Sequence, residues 1–151
     1  MTENEKKARL TALAAYLGVG VDELDCTDVD ENGRFTFSDH EEWLILTDEE
    51  ATKAATEDVR NHLWAFNADF IIDHCATIPD FEREAVIKAV RRMNEELCES
   101  ANELVYAIIG GAEGFKQFAE DAIAADGRGH FLAGWDGEEH ESGWYFLYRD
   151  N

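Results

Sequence analysis

A mostly helical α+β fold is what the sequence predicts, with two long antiparallel helices and a small antiparallel sheet that includes a C-terminal hairpin. Three observations carry that prediction. Apolar residues recur every three or four positions over residues 47–74 and 77–109, the period of helices that bury one face. Short aromatic and β-branched runs at Arg34–Phe37, Trp43–Leu46, Phe131–Trp135 and Trp144–Tyr148 have the length and composition of strands. No internal repeat, linker or low-complexity tract divides the 151 residues, so one domain, 1–151, is expected, long enough to bury a real core.

Taken in order, Thr2 and Glu5 have capping-box spacing, and Leu10, Leu13, Ala14 and Leu17 form an apolar stripe. A first helix is predicted from about residue 3 to Leu17, with Gly18 as its stop. GVDEL adds a turn, and DCTDVDENGRF is acidic and turn-rich. Two short strands follow, Arg34–Phe37 and Trp43–Leu46, joined by polar Ser38–Glu42. Thr47-Asp48-Glu49-Glu50 is a strong helix start, a Thr cap followed by acids in the first turn. That helix is predicted to run to about His74 and to bury Ala51, Ala55, Val59, Leu63, Phe66 and Phe70.

Thr77 to Asp80 opens the next helix, with Pro79, the single proline, in its first turn. Its stripe is near-heptad: Val86, Val90, Met93, Leu97, Ala101, Leu104 and Ile108. The stripe either packs against the preceding helix or seeds a homodimer. Gly110-Gly111 ends it. A shorter helix over Glu113–Ala125 buries Phe115, Phe118, Ala122 and Ile123, and Asp126-Gly127 stops it. The C-terminal strands Phe131–Trp135 and Trp144–Tyr148 flank an exposed turn at Gly137–Gly143.

Charge is the most informative feature. The chain carries 34 Asp and Glu against 13 Lys and Arg, a formal net charge of −21. Direct nucleic-acid binding needs clustered cations and is not expected, nor is docking on anionic membranes. No apolar run approaches the roughly 20 residues that a transmembrane helix needs, and the charged amphipathic start lacks an apolar signal core. Twelve acids lie between Asp22 and Glu50 against one base, Arg34. They are Asp22, Glu23, Asp25, Asp28, Asp30, Glu31, Asp39, Glu41, Glu42, Asp48, Glu49 and Glu50. Glu138, Glu139 and Glu141 add a second acidic stretch in the C-terminal turn. Solubility or a salt-adapted proteome would account for the composition. The functional reading is a decoy: carboxylates spaced along one rigid face offer a cationic groove a potential like that of duplex DNA. The expected partner is then a host DNA-binding protein or nuclease complex, met quickly and in a salt-sensitive way.

Metal and catalytic motifs are weaker. Asp28, Asp30, Asn32, Gly33, Phe35 and Asp39 match much of an EF-hand loop. Position 12 of that loop is Asp39 rather than Glu, the flanks do not read as helices, and there is no second loop. An acidic turn with Asn32-Gly33 at its bend explains the segment equally. No metal or cofactor is therefore expected, and calcium or other metal binding stays as the alternative. His130, Asp136, Glu138, Glu139, His140 and Glu141 crowd the tail, yet HExxH, paired CxxC, GxSxG, Walker-type and GxGxxG patterns are all missing. The reading is not an enzyme. His62 and His74 read as half-buried packing residues, and Trp64, Trp135, Trp144 and Tyr145 as core or hairpin packing with a partner-facing edge. Three cysteines, Cys26, Cys75 and Cys98, give an odd count without CxxC spacing, which points to a reduced, cytoplasmic setting. Cys98 reads as a core residue. His74, neighbouring Cys75 on a helix, is poorly placed to activate that thiol.

The C-terminal run DGRGHFLAGWDGEEHESGWYFLYRDN resembles the ending of small acidic proteins of phages and mobile elements, mostly of unknown function. Those read DGRGH-x-L-x-x-YDG-x-E, then a tyrosine-rich strand and YR-x-N. LTDEEA at Leu46–Ala51 is similar to a further segment of that group, and Trp135 stands where the group tends to have Tyr. The matches cover about a quarter of the chain. The resemblance implies a protein made in the cytoplasm of an infected bacterium. There it would be similar in character to inhibitors of restriction or CRISPR nucleases that act as DNA decoys, or it would be an assembly component. No catalytic residue carries over.

Overall fold

The computed structural model describes residues 1–75, 78 and 82–151. The fold is mixed α+β, mostly helical, with one small antiparallel sheet that includes the C-terminal strands. The chain forms two compact units, Met1–Ala55 with Asp126–Asn151 and Thr56–Ala125.

In the first unit, α1 spans Glu3–Leu17. Thr2 Oγ1 accepts from the Glu5 N–H at 3.3 Å, while the Glu5 carboxylate accepts from the Thr2 N–H at 2.6 Å. Two free donors at the helix start are thereby satisfied. Gly18 closes the helix in the left-handed region at φ 72°. The buried face differs from the predicted stripe: Leu13 and Ala14 are inside with Arg9, whereas Leu17 is 41% exposed. Arg9 lies one turn before Leu13 and is drawn in by acceptors at the end of a strand, as described below.

The sheet comprises β1 (Cys26–Val29), β2 (Arg34–Phe37), β3 (Glu42–Leu46), β4 (His140–Ser142) and β5 (Tyr145–Arg149), in the order β1-β2-β3-β5-β4. Period-2 alternation separates its faces. Phe35, Phe37, Trp43, Ile45 and Leu147 pack with Leu13 of α1 on one side. Leu44, Leu46 and Tyr148 are buried on the other, where the short helix α7 (Arg128–Leu132) packs against β5.

Two elements depart from the sequence reading. Cys26–Val29, read as turn, is an edge strand with a bulge between Cys26 and Asp28. Exposed Thr27 and Asp28 keep its outer edge polar, which guards it against pairing with another chain. Phe131–Trp135, predicted as a strand, begins inside helix α7, and the first hairpin strand comes later, at His140–Ser142. Gly129 is the cause: a Cβ there would lie 2.5 Å from the Gly137 carbonyl oxygen, so only glycine lets this turn of helix seat against residues 137–139.

The second unit is helical. The helix α2 (Asp48–Asn61) enters it, followed by a 3-10 turn at Leu63–Ala65 and by α3 (Ala68–Asp73). The predicted helix to His74 is thus interrupted. Asn102 stabilises the break, accepting from the Trp64 N–H at 3.0 Å and donating to the Asn61 carbonyl. Ala51, Ala55, Val59 and Leu63 are fully buried as predicted. The proline-led start at Thr77–Asp80 lies outside the described residues, apart from Ile78. The next helix, α4 (Arg83–Leu97), continues through a 3-10 turn at Cys98–Ala101 into α5 (Asn102–Ile108). Ion pairs Asp73–Arg83 at 2.5 Å and Asp69–Arg91 at 3.9 Å run α3 and α4 antiparallel. The near-heptad stripe coincides with the buried face only at Val90 and Ala101. Ile87, Val90, Asn94, Ala101, Val105 and Ile109 are inside, while Leu97, Leu104 and Ile108 are 43%, 47% and 39% exposed. Cys98, at φ 49°, breaks the helical phase and is exposed rather than core. The helix α6 (Gly111–Asp126) buries Phe118, Ala119 and Ala122.

Candidate partner-binding surface

The sheet unit holds 20 acids and 7 bases, and the helical unit 14 and 6. Strand register divides the acids of Asp22–Glu50 between two ends of the sheet. At one end lie Glu23, Asp25, Asp39, Glu41 and Glu42, because the Ser38 N–H bonds the Asp25 carbonyl and the β2–β3 turn sits beside it. Asp30, Glu31, Asp48, Glu49 and Glu50 lie at the other end, with the turn of the β4–β5 hairpin. Asp28 is on the edge strand between them, and Asp22 is in the 3-10 turn Val21–Glu23. A four- or five-residue strand separates the ends by about 15 Å. The predicted continuous acidic run is therefore two clusters.

Several of these acids are committed to the fold. Glu50 accepts from Arg9 Nη2 at 2.8 Å, and Arg9 Nη1 donates to the Ile45 carbonyl. The Arg9 hydrogen bond holds the Glu50 carboxyl down at about 2 against burial, so it is ionised at any ordinary pH. Arg34 pairs with Glu42 at 2.8 Å and with Asp150, and Arg149 pairs with Glu41 at 2.5 Å. Arg128 joins Asp48 at 2.7 Å to Glu139 at 2.8 Å, and the Tyr148 hydroxyl donates to Glu139 at 2.5 Å. Burial pulls the Glu139 carboxyl upward, but the bonds from Arg128 and Tyr148 prevail and hold it below the usual range. The Tyr148 phenol is pushed well up, first by burial and then by Glu139. Arg128, Asp48, Glu139 and Tyr148 come from the DGRGH, LTDEEA, DGEE and YR motifs, so those motifs meet in one charged cluster over Phe146. It braces α7 and α2 against the sheet.

Others hold turns. Asp30 Oδ1 accepts from the N–H of Asn32 at 2.8 Å and of Arg34 at 2.9 Å, closing the β1–β2 hairpin with Gly33 at φ 84°. Asp39 Oδ1 caps the next turn through the Glu41 N–H at 3.0 Å. Glu23 accepts from the Gly20 N–H at 2.9 Å, and Asp28 from the Val29 N–H at 2.9 Å. The EF-hand-like segment is thus a β-hairpin and not a helix–loop–helix. Asp30 and Asp39 sit at opposite ends of β2, so the ring of oxygens a calcium loop needs is not assembled. No group of three or more His, Cys, Asp or Glu side chains placed to hold a metal occurs among the described residues.

What is left is exposed charge beside exposed aromatic rings. Asp22, Asp25, Glu31, Glu49, Glu138 and Glu141 are exposed and hold no ion pair among the described residues. Trp144 is 90% exposed at the tip of the β4–β5 hairpin, and Trp135 is 61% exposed under the Arg149 guanidinium at 4.7 Å. Trp144 was legible as an outlier only through Gly143, whose φ of 63° makes a two-residue turn and lifts the next side chain off the sheet.

The tail groups do not make a nucleophile–base constellation. His140 Nε2 lies 3.2 Å from Asp136 Oδ2 and stacks on Tyr16 at 4.8 Å, while His130 is exposed. In the helical unit, His74 bonds Asp121 at 2.8 Å and packs against Phe70 and Phe118, and His62 is exposed. Burial pushes the Cys75 thiol up and its Sγ donates to the Ile71 carbonyl at 3.3 Å, the opposite of an activated thiolate.

No protein-family model matches the chain, and no curated protein or solved structure matches it either. No helix among the described residues is long and apolar enough to cross a membrane.

Proposed function

We propose that the protein is a non-enzymatic inhibitor that presents acidic clusters to the cationic groove of a host DNA-binding protein or nuclease complex. One observation carries the reading. All four arginines of the sheet unit, Arg9, Arg34, Arg128 and Arg149, are already bound to carboxylates, and exposed acids remain at both ends of the sheet. Those acids feel little internal neutralisation, so their field extends outward over roughly a Debye length, about 10 Å at 0.1 M salt. Trp144, at the same end of the sheet as Glu31 and Glu49, supplies what charge lacks, an aromatic anchor that buries area against the partner. The two-cluster layout suits phosphate mimicry at two separated patches rather than along a continuous strand. The phage setting comes from the C-terminal resemblance.

The experiment is capture from bacterial lysate on the immobilised protein at low salt, followed by elution with duplex DNA. The reading expects DNA-binding proteins to be released by the duplex and by salt. The Glu31→Gln/Glu49→Gln variant, which touches no ion pair of the fold, should retain less of them. Retained proteins that duplex DNA does not displace, or equal retention by the variant, would overturn the reading.

A further inference from the structure

The acidic end of the sheet that contains Asp25 also contains a recess. It is an open cavity of about 270 Å³ between the end of α1 and the β2–β3 turn. That is below the roughly 300–1,000 Å³ of a site for a drug-sized ligand, and it suits a single long side chain. Its walls are apolar, with Leu17, Leu24, Phe37 and Trp43 among them, while Glu23, Asp25, Asp39 and Glu41 stand around it. No lysine, arginine or histidine lines it. Leu17 and Val19, also at the recess, are 41% and 40% exposed, so the chain leaves apolar surface uncovered there. The C-terminal turn of α1 reaches the same place without a basic residue, and the negative end of the helix dipole adds to the potential there.

The molecule shows elsewhere what this combination of groups binds. Arg60 lies over Tyr106 at 4.0 Å and pairs with Glu103 at 2.7 Å. Arg128 lies over Phe146 at 4.4 Å with Asp48 and Glu139 as partners. Arg149 lies over Trp135 at 4.7 Å and pairs with Glu41. Each guanidinium lies over an aromatic ring and pairs with a carboxylate, a combination its flat, weakly hydrated charge favours. The recess presents rings and carboxylates, and of the latter Glu41 is already paired with Arg149, while Glu23, Asp25 and Asp39 hold no ion pair among the described residues.

We propose that this recess receives one arginine side chain of a bound partner protein, with its methylene stem on the apolar wall and its guanidinium among the carboxylates of Glu23, Asp25 and Asp39. This rests on the reading of the protein as a binder of cationic partners and names the contact at one of its two acidic clusters. The compact, strongly hydrated ammonium of lysine would use the charge but not the rings.

The test titrates the intact protein with n-butylguanidinium and, separately, with its neutral isostere n-butylurea, followed by amide and indole NMR. The proposal expects saturable shifts at Leu24, Asp25, Ser38 and the Trp43 indole in the millimolar range for the cation, and severalfold weaker binding of the urea. Glu23→Gln/Asp25→Asn should weaken the cation severalfold, since Gln keeps the acceptor for the Gly20 N–H and the fold is preserved. Absence of saturable shifts at the recess, equal binding of the urea, or full affinity in the double variant would overturn it. The probe needs no partner protein, so this failure is separable from that of the DNA-displacement experiment. A recess that ignores the cation in a protein that still captures DNA-displaceable partners refutes the arginine site alone.

Discussion

Arg9 shows how one residue can escape a pattern and still govern a neighbourhood. Its side chain is 6% exposed, and its pairing with Glu50 is the means by which a buried cation is tolerated. Glu50→Gln leaves that cation without its counter-charge and should cost about 1–2 kcal/mol, moderated because the Glu50 side is 46% open to solvent. The pH dependence has a defined sign. The Glu50 carboxyl falls from an ordinary 4.5 to about 2 in the folded chain. Its contribution is therefore complete above the upper value and disappears as pH drops toward the lower one. Thermal melts of both proteins across that window should show the gap between them closing on acidification. The sequence could have exposed this residue, since Arg9 and Leu13 are one helical turn apart, but a polar residue scores as surface unless its acceptors are known. Those acceptors, Ile45 and Glu50, are far along the chain.

Among the elements, local signals were read well and phase poorly. The Thr2 capping box, the Gly18 stop and strand Arg34–Phe37 appear with the predicted bounds, because caps and short alternating strands are set by neighbouring residues. The α4–α5 face was misread for two reasons: the counted stripe ran through the break at Cys98, whose positive φ shifts the helical phase, and within α4 the buried set Ile87, Val90 and Asn94 includes a polar residue that an apolar count passes over. That assignment is testable. Val105→Ala should cost about 1–3 kcal/mol as a fully buried position, whereas Leu104→Glu should change stability by less than about 0.5 kcal/mol. Chemical denaturation of the two variants reads the difference directly. The misplaced C-terminal strand has a different cause: Gly129 allows a close approach to Gly137–Glu139 that seats a helical turn where the aromatic run suggested a strand. Gly129→Ala should push α7 from its seat, costing about 2 kcal/mol or more through overpacking, visible as a lowered melting temperature. Among the acids, the sequence located the charge but not its division into two clusters, which follows from a register that no local pattern encodes.

For the whole molecule, the net charge of −21 is the quantity every functional argument returns to. Part of it is structural: the arginine pairs fix β3, β5 and α7 within the sheet unit. The remainder is exposed, at the turns and element ends of the sheet unit and along the helices of the other unit, where self-repulsion costs stability that screening should restore. A moderate rise in salt is therefore expected to raise the melting temperature while weakening partner association, opposite effects from one cause. The decisive measurement is fluorescence anisotropy of labelled duplex DNA bound to a captured partner as this protein is added. The account predicts competitive release of the DNA, weaker at higher salt and impaired in Glu31→Gln/Glu49→Gln. DNA that stays bound in a ternary complex, with anisotropy that rises instead of falling, would contradict it.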